Sequence, residues 1–268
     1  KAITKKTKAI IPVHFVGLPC EMDKISHIAK KFDLKIIEDS ATALGASFNN
    51  IKTGGLGTIG CFSFYPTKHI TSMEGGMIVT NDEKLALKIS KKRAFGYNKS
   101  LNERAVPGLY DIDMLGWNYR MSEGHAAIGL VQLSRLNDFL KTRKRNAEII
   151  YNILCKNKTV AAMIPFQNFG SKSSWYCVNL ILNENFIHQR TKVINSINAI
   201  GVQTSIHYPV ALPCSLYYKK KYGYKTTEFP NAYKMSLTTI SLPCGPHMDE
   251  EDAQYVGQEV LKILNDLI

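Results

Sequence analysis

Between residues 10 and 93 short apolar runs alternate with helical patterns, and this rhythm constrains the fold more than any other feature of the chain. Ile10–His14 reads as a short strand. Pro19 opens a helix in which Met22, Ile25, Ile28, Ala29 and Phe32 recur at helical spacing, leaving Lys24, Lys30 and Lys31 outside. Leu34–Ile37 is a second strand, ending at Glu38-Asp39. A glycine-rich turn leads to Cys61–Tyr65, rich in aromatics, and then to Met77–Thr80, closed by Asn81-Asp82 as turn and helix cap. Residues 83 to 93 read as a helix. Strand and helix alternating in this way predict an α/β fold with a mostly parallel sheet.

From Ser122, the expected N-cap, to about Leu154 the chain reads as almost wholly helical, with Ala126, Leu130, Leu133, Leu136 and Leu140 on one face. Beyond Pro165 the pattern changes. Trp175–Leu182 alternates like a half-buried strand, Val202–Ile206 reads as another, and Asp249–Ile263 as a closing helix. A boundary between residues 141 and 165 divides the chain into a large domain over 1–150 and a small α+β domain over 151–268.

Hydrophobic residues make up 45% of the 268, enough to bury a core and exclude intrinsic disorder. No apolar run reaches the ~18 residues of a membrane span, and the first fifteen residues lack a signal-peptide pattern. A soluble, cytoplasmic protein is expected. Six cysteines are too sparse for a disulfide scaffold in a chain this long, and none forms C-x-x-C, so no metal site is expected either. The net charge of +12 is spread in twos and threes, as at Lys91-Lys92-Arg93 and Lys219-Lys220-Lys221. That suits a lysine-rich surface or anionic small molecules; nucleic acid is not an expected partner.

Gly55-Leu56-Gly57-Thr58-Ile59-Gly60 matches the G-x-G-x-x-G fingerprint of dinucleotide-binding folds. That fingerprint works only where it opens a helix, whose N-terminus meets the pyrophosphate. Here the last glycine runs straight into a strand, so the segment is read as a tight turn. Asp39 and Lys68 stand out for another reason. An acid, a hydroxyl and a lysine (Asp39, Ser63, Lys68) fall at the ends of separate strands, where open α/β sheets collect ligands, and a Gly75-Gly76 turn follows. A lysine there can bond covalently to a carbonyl cofactor that the acid and hydroxyl hold elsewhere.

Four stretches, Ala9–Gly17 (AIIPVHFVG), Ile37–Ala46 (IEDSATALGA), Gly55–Asp82 (GLGTIGCFSFYPTKHITSMEGGMIVTND) and Gly116–Gln132 (GWNYRMSEGHAAIGLVQ), resemble the DegT/StrS family. So do Ile206–Pro209 and Ile240–Pro243 near the C-terminus. The family comprises fold-type I, pyridoxal 5'-phosphate-dependent aminotransferases acting on keto sugars, mostly nucleotide-linked. The resemblance implies a large domain built on a mostly parallel sheet, followed by the small α+β domain. It implies that Lys68 bonds to the cofactor and moves the proton, that Asp39 pairs with the pyridine nitrogen, and that Ala41 packs on the ring. Ser63 corresponds to a hydroxyl on the cofactor phosphate. Asn118 and Arg120 correspond to a segment that reaches into a neighbouring subunit's site, implying a homodimer with shared active sites. His207 and Tyr208 correspond to a substrate-side segment. The amino donor implied is an amino acid, by analogy glutamate.

Two departures from the family pattern stand out. Thr42 occupies the position of a Gln or His beside the cofactor's phenolic oxygen. The family also has an N-terminal region ahead of the A-I-I-P-V-H strand, with a phosphate-binding loop and a ring-stacking aromatic, so these 268 residues alone are expected to hold the cofactor weakly. Two other readings differ in kind. A deoxysugar dehydratase of the same fold carries histidine in place of the lysine, and His69 adjoins Lys68. A catalytically dead relative would serve as a binding or regulatory subunit.

Overall fold

The computed structural model describes residues 2–165 and 170–266. It divides into two compact units. One comprises the chain up to His14 with Pro19–Leu136; the other comprises Phe15–Leu18 with the chain from Asn137 onward. The boundary expected at residue 150 lies within a helix that belongs wholly to the second unit beyond Leu136. The reason is packing: Ala147, Ile150 and Leu154 of that helix lie in the second unit's core.

The first unit is built on strands β1 (Ala9–Ile10), β2 (Lys35–Asp39), β5 (Ile59–Ser63) and β6 (Gly76–Val79), in the order β1-β2-β5-β6. β1 and β5 run parallel to β2, with Ile10 opposite Ile36 and Asp39 opposite Cys61. β6 returns antiparallel, placing Gly76 opposite Ser63. A small hairpin of β3 (Ser47–Phe48) and β4 (Ile51–Lys52) interrupts the crossover to β5. The expected mostly parallel α/β sheet is therefore present.

Helix α1 (Met22–Lys31) covers the sheet with Met22 and Ala29, which cluster with Ile36 and Phe48. Ile28, expected on that face, is 41% exposed. Successive residues turn by ~100°, so Met22, Ile25 and Ala29 define the inner stripe and Ile28 falls on its flank. Helix α2 (Glu83–Lys92) begins at the expected cap, the Asp82 carboxylate accepting the Leu85 N–H at 3.0 Å.

The long helix expected from Ser122 is two helices, α3 (Glu123–Ser134) and α4 (Leu136–Leu154). Ser122 does cap α3, accepting the His125 N–H. At its other end the Ser134 hydroxyl donates back to the Val131 carbonyl, and the Arg135 N–H bonds to Gln132 three residues back. Both tighten the last turn and end the ladder. The expected inner face of α3 is open within this chain, with Leu130 69% and Leu133 50% exposed.

In the second unit β7 (Val160–Ile164), β9 (Val178–Leu182) and β10 (Thr239–Leu242) form an antiparallel sheet with β9 in the middle; β8 is the two-residue strand Ser171–Lys172. Helices α5 (Arg190–Ala199) and α8 (Glu250–Asn265) share its core through Val193, Ile197, Val256 and Val260. Between them lie the shorter α6 (Leu216–Tyr222) and α7 (Pro230–Thr238). Asp249 and Asp252 cap α8 reciprocally. Every residue of β9 is buried, not alternate ones as expected, because a central strand under helices has no open face. Val202–Ile206 is not a strand: only Ser205 pairs, with Ser241, while both the N–H and the hydroxyl of Thr204 bond to the Asn198 side chain.

Candidate active site

β2 places two carboxylates on consecutive residues, and strand alternation sends them opposite ways. Asp39 lines a cavity of about 230 Å3 together with Ile11, Ile37, Glu38, Ala41, Cys61, Phe62 and Ser63; Lys68 is not among its lining residues. Its Oδ1 accepts the Ala41 N–H at 3.1 Å, its own N–H donates to the Pro12 carbonyl, and its carbonyl accepts the His14 N–H. The chain turns sharply at Ser40, setting the Ala41 methyl against the same cavity. Three residues expected at the site, Asp39, Ala41 and Ser63, therefore meet in one place.

Lys68 follows β5 on a loop tied down at Phe64. The Phe64 carbonyl accepts both the Ser72 N–H and the Thr71 hydroxyl, and the Phe64 N–H donates to Gly75. The Lys68 N–H closes a turn on Tyr65. Its side chain is half-buried. Desolvation pushes the amine's pKa below the ordinary lysine value, and the negative charge of Asp39 pushes it part of the way back. The acid and the amine thus act on one another electrostatically. His69, by contrast, is 3% exposed.

Thr42 is buried, and its hydroxyl donates to the His14 carbonyl at 3.1 Å. A hydroxyl has one proton to give, so this bond takes the donor that a phenolate oxygen would need. Cys61 was not singled out from sequence; burial first, then Asp39 and Glu38, push its pKa up, so it lines the cavity as a neutral thiol.

Asn118 and Arg120 are both exposed. Arg120 Nε donates to Asn118 Oδ1 at 3.1 Å, and its guanidinium covers the Phe95 ring, 4.8 Å from its centroid. The backbone of Asn118 bridges to Ala94. In the second unit His207 Nδ1 lies 2.8 Å from Ser241 Oγ, which donates to Asn179 Oδ1 at 2.6 Å. Tyr208 is 55% exposed, its ring tilted against Phe15. Among the described residues no group of three or more His, Cys, Asp or Glu could hold a metal ion, and no helix is long and apolar enough to cross a membrane.

The donor set suits pyridoxal 5'-phosphate: an amine of depressed pKa for an aldehyde, a carboxylate for a ring nitrogen, a methyl for a ring face and a hydroxyl for a phosphate oxygen. Known proteins point the same way. Spore coat polysaccharide biosynthesis protein SpsC of Bacillus subtilis is 34% identical over 269 residues, covering 98% of this chain and 68% of that protein. The UDP-4-amino-4,6-dideoxy-N-acetyl-beta-L-altrosamine transaminase of Campylobacter jejuni is 33% identical, covering 96% of this chain and 65% of that protein. Among solved structures, Helicobacter pylori PseC, an aminotransferase involved in pseudoaminic acid biosynthesis, superposes with a TM-score of 0.91 at 27% identity, over 99% of this chain and 69% of that one. The chain spans about two thirds of the length of these relatives. The DegT/DnrJ/EryC1/StrS aminotransferase family profile matches residues 1–261. This chain belongs to that family.

Proposed function

We propose that the chain carries the catalytic groups of a pyridoxal-phosphate-dependent aminotransferase that moves an amino group from an amino acid, by analogy glutamate, to a nucleotide-linked keto sugar. The observation that carries this reading is that Asp39, Ala41 and Ser63 line one cavity while the charge of Asp39 reaches the half-buried Lys68 amine. Pyridoxal phosphate, when bound, supplies an electrophilic aldehyde and an electron-withdrawing ring. The protein's part is positioning and proton transfer. Lys68 must be uncharged to attack a carbonyl or take a proton, and its partial burial favours that form. Asp39 would pair with the ring nitrogen and help hold its proton. Ala41 leaves room for a flat ring, and Ser63 offers a hydroxyl to the phosphate.

Support for a homodimer with shared sites comes from surface otherwise unexplained. Asn118 and Arg120 point polar groups outward, beside an α3 face that leaves Leu130, Val131 and Leu133 exposed. Lys68 in place of histidine, with His69 buried, counts against the dehydratase reading. The test is borohydride reduction with pyridoxal phosphate. The wild type should lose its visible absorbance and carry the label on Lys68, whereas Lys68→Ala should stay folded, take no label and lose transamination. Turnover retained by Lys68→Ala would refute the assignment, and a wild type that takes no label on Lys68 even with pyridoxal phosphate in large excess would favour a dead relative.

A further inference from the structure

We infer that the buried Glu38–His14 pair, with the glycine-rich turn closed around it, is a positioning device for Asp39; the inference rests on the aminotransferase reading. Glu38 and His14 are both wholly buried. The Glu38 carboxylate accepts four hydrogen bonds: from the N–H groups of Gly54 (2.7 Å), Leu56 (2.7 Å) and Gly57 (2.6 Å), and from His14 Nε2 (2.9 Å). His14 Nδ1 accepts the Cys20 N–H at 3.0 Å, so Nε2 is the nitrogen that carries the proton toward Glu38. The turn that matches a phosphate-binding fingerprint is thus an anion cradle whose anion is the protein's own carboxylate.

The glycines serve that closeness. A Cβ at Gly57 would lie 3.0 Å from the Ile36 carbonyl oxygen, and one at Gly60 would lie 2.2 Å from the Cα of Gly54. Only bare backbone can wrap the carboxylate this tightly and still enter β5.

The pair's position relative to Asp39 is what gives it a role. Glu38 is the preceding residue on β2. His14 bonds through its own backbone to both ends of the Asp39 turn, donating to the Asp39 carbonyl at 3.0 Å and accepting the Thr42 hydroxyl at 3.1 Å. The imidazole therefore has its ring locked by Glu38 and Cys20 while its main chain grips residues 39 to 42. Burying a carboxylate is costly unless its lone pairs are satisfied, and an apolar pair of equal volume would stabilise a core as well or better. A buried network rigidifies and specifies one arrangement. The arrangement specified here is the direction in which Asp39 leaves β2.

The experiment compares Glu38→Gln, His14→Leu and His14→Gln with Asp82→Ala, a control that removes the α2 cap bond to the Leu85 N–H in the same unit, away from both the Asp39 turn and the glycine-rich turn. Three quantities are read: amide hydrogen exchange over residues 39–42 in the cofactor-free protein, visible circular dichroism of bound pyridoxal phosphate, and kcat against KM for the amino donor. Glu38→Gln and His14→Leu should speed exchange at 39–42, weaken the dichroic band, and lower kcat ~10–100-fold, as small misplacements of a catalytic group do. KM should move much less. His14→Gln, whose amide can donate to Glu38 and accept from Cys20, should restore most of the loss. If Glu38→Gln does not fold, the two His14 variants decide. Variants that only lose thermal stability, as Asp82→Ala should, with exchange at 39–42, dichroism and kcat unchanged, would overturn the positioning role. A wild type with no dichroic band and no borohydride label on Lys68 would instead overturn the aminotransferase reading.

Discussion

Asp39 opposes the effect of burial on Lys68: burial favours the neutral amine, and the Asp39 carboxylate favours the ammonium ion. The two residues leave the ends of neighbouring parallel strands, β2 and β5, where open sheets place ligands between side chains brought from distant parts of the sequence.

That opposition has a measurable sign. Removing the Asp39 charge takes away the influence that raises the lysine's pKa, so in Asp39→Asn the amine should lose its proton at lower pH. Acylation of Lys68 in the cofactor-free protein, followed by mass spectrometry against pH, should show its midpoint move down. An unmoved or raised midpoint would show that the two groups do not interact. With cofactor, the same variant should lose far more in kcat than in cofactor affinity, because on the proposed reading the carboxylate would serve the ring nitrogen and not the phosphate.

Glu38 predicts a different pH dependence. Its burial works to raise its pKa, but the hydrogen bonds from His14 and from the Gly54 and Gly57 amides outweigh this, and the net shift is downward from 4.5. A carboxylate whose folded pKa lies below its unfolded value adds stability above the unfolded pKa and loses it as pH falls through the folded one. Denaturant unfolding should therefore weaken steeply below about pH 4.5 in the wild type and more gently in Glu38→Gln. Equal acid slopes would mean that the carboxylate is not ionised in the fold.

Lys68 and Asp39 were legible because their signals are local: a lysine and an acid just past apolar strand runs, inside stretches that match a family. Ala41 and Ser63 came with them as near neighbours. The Glu38–His14 pair was not legible, since its partners lie 16 to 24 residues away and a buried carboxylate has no periodicity to betray it. The glycine pattern is a tight turn, as its direct entry into β5 implies, but the carboxylate it wraps shows only in three dimensions. The family pattern gives the position of Thr42, but not the bond from its hydroxyl to the His14 carbonyl, 28 residues away. The same limit applied to helices. The caps at Asp82 and Ser122 are one-residue signals and could be read, while the break at Arg135 depends on how Ser134 turns its hydroxyl.

Gly60 tests the closeness of the turn. Gly60→Ala puts a methyl onto the Gly54 backbone, which no side-chain rotation relieves. Overpacking of this kind costs typically ~1–3 kcal/mol, and a backbone contact belongs at the upper end. Gly55→Ala is the control, because a Cβ there meets its nearest atom at 3.4 Å. Chemical denaturation should separate the two variants by about 1 kcal/mol or more, with Gly60→Ala the weaker. Equal stabilities would show that the turn has slack and that its glycines are not needed for packing.

Asn118 and Arg120 test whether two chains build each site. Their side chains bond to one another and face outward, and the Arg120 guanidinium is steadied on Phe95, so the pair is held in shape without being used inside its own unit. A preformed polar group that faces outward suits a ligand or a second chain. Lys68→Ala removes the amine and leaves this pair intact, while an Asn118→Ala/Arg120→Ala double variant keeps the amine and lacks the pair. If each site takes its lysine from one chain and its Asn118–Arg120 pair from the other, a heterodimer of the two has one wholly intact site and one doubly damaged site. Mixing the inactive variants under conditions that allow subunit exchange should then restore up to about a quarter of wild-type activity, since random pairing makes half the dimers mixed and each mixed dimer has one good site of two. If both elements belong to the same chain, every site in the mixture is damaged and no activity returns. Exchange shown by mass spectrometry with no recovery would therefore refute the shared site without touching the assignment of Lys68.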